Sequence, residues 1–135
     1  MENLWPQNLT VTQRKAPVTI LREQASLLGE ATQNIVKANV ISKGGSDTMF
    51  LYIFLIVAPT FDNYHYKLFT IRHGIDLYPV TISLDEAIAA ELDIGSEKEM
   101  LAGSEAEFIE ILKRIFHSKR TVSIVQAIVA QSTAL

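Results

Sequence analysis

Residues 49–58 read MFLYIFLIVA, an unbroken apolar run that is about half as long as the roughly 20 residues a membrane-spanning helix needs. Phe50, Tyr52, Ile53, Phe54, Ile56 and Val57 are aromatic or β-branched, Pro59 closes the run, and Gly44, Gly45, Ser46 and Asp47 precede it. This combination predicts a core strand. Upstream, residues 34–42 alternate, with Val36, Ala38 and Val40 apolar and Lys37 and Asn39 between them, the pattern of a strand with one buried face. The turn at 43–47 then joins the two as a hairpin.

After a second turn at 59–63, Tyr64, Tyr66 and Leu68 alternate with His65 and Lys67, predicting a strand over 64–72 with the tyrosines in the core and His65 and Lys67 facing out. A turn at His73-Gly74 leads to a short strand over 77–82. Pro79 has no amide to donate to a ladder, so this strand is expected at an edge or at a bulge.

Helical periods flank these strands. Pro17 suits a first helical position, and Leu21, Ala25 and Leu28, widened by Ile20 and Leu27, form a stripe that runs to about Gly29. Ser83 and Glu86 fit a capping box ahead of Ala87, Ile88 and Leu92, with Gly95 as a stop. Ser104 and Glu107 repeat the signature before Phe108, Ile111, Leu112, Ile115 and Phe116, and acidic residues crowd the first half of that helix and basic ones the second. Val122, Val125, Ile128 and Val129 indicate a last helix over about 120–131. The expected architecture is α+β: a four-stranded antiparallel meander in the order α-β-β-β-β-α-α-α, packed by helices. Residues 1–16 read as a loose arm whose Trp5 docks on the body or on a partner, and 17–135 as a single globular domain.

The 49–58 strand is apolar on both faces. Phe50, Tyr52, Phe54 and Ile56 point one way, and Met49, Leu51, Ile53, Leu55 and Val57 the other. A one-layer cover of helices leaves the second set in water, so that face is expected to be covered either by more of this chain's helices or by another molecule.

Composition then narrows the function. With 135 residues and no cysteine, the chain is long enough for a core without staples, while disulfides, thiolate metal sites and cysteine nucleophiles are excluded. Residues 1–15 lack the apolar core of a signal peptide, which makes the cytoplasm the expected compartment. The net charge of −3 is unevenly spread: residues 83–110 hold nine carboxylates against Lys98 alone, so the remainder is basic. An acidic face of this kind steers a basic partner or simply keeps the surface solvated.

No P-loop, dinucleotide fingerprint or nucleophile elbow is present, and His65 and His73 have no metal-motif spacing; no cofactor and no metal are implied, and the reading leans away from an enzyme. The candidate partner- or ligand-binding residues are Tyr64, His65, Tyr66 and Lys67, with Arg72, His73 and Asp76 around the glycine turn. The function expected is a small protein-interaction module of a regulatory, accessory or immunity type, its partner a second copy of the chain or another protein, with neither nucleic acid nor membrane involved. The competing expectation is a small-molecule binder or enzyme with a pocket between sheet and helices lined by Tyr64, Tyr66, Tyr78 or His73.

Overall fold

The computed structural model describes residues 1–44 and 48–134. The chain runs α1 (Pro17–Ala31), β1 (Lys37–Ser42), β2 (Phe50–Ala58), a short 3-10 turn (Pro59–Phe61), β3 (Tyr64–His73), β4 (Val80–Leu84), α2 (Glu86–Glu91), β5 (Glu99–Ala102), α3 (Glu105–Phe116) and α4 (Lys119–Thr133). The class is α+β as expected, but the antiparallel meander has five strands, in the order β1-β2-β3-β4-β5. Of the turn expected at 43–47, Gly45, Ser46 and Asp47 lie outside the described residues.

The extra strand explains the other departures nearby. Glu99–Ala102 is too short to display a period of two, and it becomes a strand by pairing with β4, Ser83 against Glu99 and Val80 against Ala102. β4 therefore sits inside the sheet and not at its edge. Pro79 is tolerated because it precedes the first ladder residue, Val80, where its missing amide costs no bond. Ser83 is likewise not a helix cap: β4 runs through Leu84, whose amide bonds the Lys98 carbonyl at 2.9 Å. The cap is Asp85, which accepts the Ile88 amide at 2.7 Å and leaves α2 only six residues long.

At Ser104 the expected cap is present. Its hydroxyl accepts the Glu107 amide at 3.2 Å, while Glu107 reaches back to the Gly103 amide at 2.8 Å. α4 starts behind Ser118 and buries Thr121, Ile124 and Ile128, so the stripe is rotated from the valine positions and Val122 is exposed.

One irregularity in β3 fixes which side chains face which way. Phe54 pairs with Phe69 and Leu55 with Lys67, so Leu68 is an extra residue on β3. Such a bulge reverses the alternation beyond it. Tyr66, Leu68, Phe69, Ile71 and His73 consequently share the inner face, whereas strict alternation would have put Phe69, Ile71 and His73 on the opposite side. His65 and His73, which share a parity in the sequence, end on opposite faces.

The inner face carries the core. Phe54 stacks on Phe69 at 5.1 Å between centroids, and Phe116 of α3 tilts over both at 5.4 and 6.1 Å. Ile20 and Leu21 of α1, Ile88 of α2, Ile115 of α3 and Ile124 of α4 join the same buried cluster as Ile71, Val80 and Ile82. Between α1 and α4 a groove of about 400 Å³ opens onto Phe54, Ile56 and Leu68. Leu27, counted in the sequence stripe, stands on its bank and is half exposed. Ahead of α1, residues 1–15 are exposed throughout, and Trp5, at 74% exposure, does not dock on the body. No helix among the described residues is long and apolar enough to cross a membrane.

Candidate functional site

The four helices of the described residues send Ile20 and Leu21, Ile88, Ile115 and Ile124 into the inner cluster. Among those residues the outer face of the sheet is left without a helical layer. Along β2 it presents Leu51, Ile53, Leu55 and Val57; the first three are partly exposed and stand apart from the inner cluster, while Val57 is buried at 4% exposure, also outside that cluster. Ile41 lies across from Ile53, and Leu101 on β5, at 65% exposure, extends the apolar surface to the far edge. Thus the chain's own helices cover one face of the over-apolar strand and not the other.

The register places polar residues around this column. Lys37 and His65 flank Val57, and Asn39 and Lys67 flank Leu55. Arg72 is beside Leu51 and donates to Glu99 across β4 at 2.8 Å; Ser83 donates to the same Glu99 oxygen at 3.2 Å. The Arg72 guanidinium beside it holds the Glu99 carboxyl below its usual range. Among the described residues Lys37, Lys67 and Arg72 share this face with one carboxylate, Glu99, so it is basic although the whole chain is acidic. The carboxylates concentrated in 83–110 fall mainly on α2, α3 and the connecting loops.

Tyr64 and Tyr66 belong to a different place. They line a cavity of about 530 Å³ between the β2–β3 end of the sheet and α4, with Phe61, Arg120, Ile124 and Ile128 around them. Tyr66 is half-buried with its hydroxyl on Asp85 at 2.6 Å, and Arg120 donates to the same hydroxyl oxygen from Nε at 3.3 Å and Nη2 at 3.1 Å. Tyr64 keeps 57% exposure at the rim instead of joining the core. Glu91 accepts the Lys119 and Arg120 amides at 2.6 and 3.2 Å and so closes the N-terminus of α4.

The three residues expected around the glycine turn do not converge. Arg72 is on the outer face, Asp76 is exposed at the turn, and His73 is 4% exposed on the inner face between the rings of Phe50 and Tyr52. His73 Nδ1 donates to the Gly74 carbonyl at 2.7 Å, while Nε2 is buried without a hydrogen-bond partner among the described residues. Tyr78 is also buried, its hydroxyl donating to the Lys15 carbonyl at 3.1 Å. Among the described residues no cluster of histidine and carboxylate is placed to hold a metal ion. Asp85 and Arg120 were not singled out from the sequence. Nineteen residues separate Tyr66 from Asp85 and 54 separate it from Arg120, and no local spacing signals such a cluster.

The tyrosines offer a test of these environments. Burial, then the Asp85 hydrogen bond, raises the Tyr66 hydroxyl above its ordinary 10.0; Tyr78 rises through burial and the charge of Glu105. A phenol that holds its proton more tightly when folded contributes stability that is present below pH 10 and lost as pH rises through the folded value. An ultraviolet titration of the native protein is expected to contain a late-ionising component that shrinks in Tyr66→Phe and again in Tyr66→Phe/Tyr78→Phe. An unchanged titration curve in both variants contradicts these assignments.

Set beside models of known protein families, curated proteins and solved structures, the chain matches none of them, which leaves the outer sheet face and the Tyr66 cavity as the features from which a function is argued.

Proposed function

We propose that this protein is a protein-binding module that docks its partner on the outer face of the sheet, and that the partner presents apolar side chains flanked by carboxylates. The observation that carries the reading is the partly exposed apolar column Leu51, Ile53 and Leu55, left without a helical layer among the described residues and bordered there by Lys37, Lys67 and Arg72 against the carboxylate of Glu99. A soluble protein that keeps an apolar stripe on an accessible face generally uses it for association. Strands spaced by about 4.8 Å with a rise of about 3.3 Å per residue give a face of roughly 20 by 30 Å. That is on the order of the ~800 Å² which each side contributes to a standard interface.

Charge selects the occupant. A second copy stacked face to face would bring the same excess of cations to the interface, its Glu99 already held by its own Arg72. A partner with an acidic rim pairs with Lys37, Lys67 and His65 while its apolar centre covers β2. Nucleic acid fits less well, because sheets that read single strands stack bases on aromatic rings, and the tyrosines of β3 point to the opposite face. This is the interaction-module expectation reached from the sequence, now with a defined surface and partner chemistry.

The test is capture of partners from the native host by wild-type protein, in parallel with Ile53→Asp, Lys37→Glu/Lys67→Glu and the helix-surface control Ile109→Asp. Ile53→Asp is expected to remain a folded monomer, because its side chain is partly exposed and not packed against the inner cluster, and to lose at least about 2 kcal/mol of binding, roughly thirty-fold in affinity. The charge-reversed variant is expected to bind more weakly, most clearly at low salt, and Ile109→Asp to bind as wild type. Loss of fold in Ile53→Asp, or binding that survives it, overturns the proposal. Wild-type protein that captures nothing and instead self-associates with rising concentration replaces the acidic partner by a second copy.

A further inference from the structure

We infer that the cavity between β3 and α4 is a ligand site for a small monocarboxylate with a flat apolar body, held by Arg120. The inference is independent of the docking face, which lies on the other side of the sheet. A volume of about 530 Å³ is within the range of small-molecule pockets, which combine mostly apolar walls with a few placed polar groups. Here the walls are Phe61, Tyr64, Ile124 and Ile128, and Arg120, Tyr66, Ser123 and Gln131 supply the polar atoms.

Arg120 is the group with capacity to spare. Nε–H and one Nη2–H are given to the Tyr66 hydroxyl, which fixes the plane of the guanidinium and leaves both Nη1 hydrogens and the second Nη2 hydrogen free of any hydrogen bond among the described residues. It forms no ion pair among those residues. Asp85 acts on Arg120 only through space, since its oxygens are taken by the Tyr66 hydroxyl and the Ile88 amide and no hydrogen bond joins it to the guanidinium among the described residues. An oriented guanidinium edge with free hydrogens on two nitrogens is the geometry that takes a carboxylate in two parallel hydrogen bonds.

Charge sets the valence of the ligand. Among the described residues Arg120 is the lining cation without an ion pair, and the amides of Lys119 and Arg120 that would strengthen a phosphate site are already bonded to Glu91. Glu91 and Asp85 close by repel a dianion more strongly than a monoanion, so the smaller charge is favoured. The aromatic rim of Phe61 and Tyr64 favours a flat body over a long chain.

The probe is phenylacetate, followed by amide chemical shifts in a two-dimensional NMR titration of the full chain, with 2-phenylethanol as the uncharged analogue. Saturable shifts are expected at Tyr64, Tyr66, Ser123 and Ala127. Affinity is expected to fall roughly tenfold or more both for 2-phenylethanol and for Arg120→Gln, the loss typical of hydrogen bonds to a charged group. Arg120→Lys keeps the charge but not the fork, and is expected to bind between the two. The spectrum of each variant without ligand reports whether it is folded, and Ser123→Trp, which fills the cavity from an exposed helix position, is a second variant expected to abolish the shifts. The inference is overturned by an absence of saturable shifts, by shifts centred on the α1–α4 groove near Leu27 and Val122, or by equal affinity for the acid and the alcohol.

Discussion

A chain lacking Leu68 is expected to keep the faces of β3 and to lose about 2–5 kcal/mol of stability, shown by a lower urea midpoint with the cooperative transition retained. Leu68 is the extra residue between Lys67, which meets Leu55, and Phe69, which meets Phe54. Without it those two pairs become consecutive rungs of a regular ladder, so His65 and Lys67 stay on the outer face and Tyr66, Phe69 and Ile71 on the inner one. What is lost is a side chain that is 1% exposed in the inner cluster. Leu68→Ala, which keeps the bulge and removes most of the same side chain, is expected to cost a similar amount. An unfolded deletion protein beside a folded Leu68→Ala would mean that the bend at the bulge is itself needed to close the core, and a deletion protein with wild-type stability would mean that Leu68 adds nothing to the inner cluster.

Phe69→Ala is expected to be the most damaging single substitution in the sheet. The ring is 1% exposed, stacked on Phe54 and met by the tilted ring of Phe116, so it joins β2, β3 and α3 at one point. Truncation removes its transfer energy and leaves a cavity that rigid strand neighbours cannot close, about 3–5 kcal/mol in comparable cores. Urea denaturation should show a lower midpoint with an unchanged slope. The contrast with Ile53→Asp is the informative one. Two large apolar residues of adjacent strands, one on each face, are expected to fail in different assays, Phe69 in stability and Ile53 in binding. Similar destabilisation by both would place a layer over the outer face.

Much of the secondary structure was legible because its signals are local. Pro17 at the start of α1, Ser104 with Glu107 at the start of α3, and the apolar run that became β2 each place their physics within a few residues. β5 was not legible, since four residues of mixed polarity become a strand only when β4 is beside them. Ser83 and Asp85 compete as caps on equal local terms, and the ladder bond from Leu84 to Lys98 decides for Asp85.

The candidate site divides in the same way. The alternation Tyr64, His65, Tyr66, Lys67 predicted correctly that tyrosines and cations part company, because both pairs lie before the bulge. It misplaced His73 relative to His65, because both are written on one continuous strand and the reversal at Leu68 has no marker in the residue pattern. The grouping of Arg72, His73 and Asp76 came from proximity along the chain, while side-chain direction sends them to three environments.

By itself the sequence determined that β2 carries too much apolar surface for one layer of helices, that charge is segregated along the chain, and that cysteine chemistry is absent. These are properties of residue type and order. Only the tertiary structure decided that all four helices lie on one face, that cations border the uncovered column, and that Arg120 meets Tyr66 and Asp85 over a cavity. Each of these depends on strand register or helix placement, which arise from contacts between residues far apart in the chain and have no counterpart in any single stretch of it.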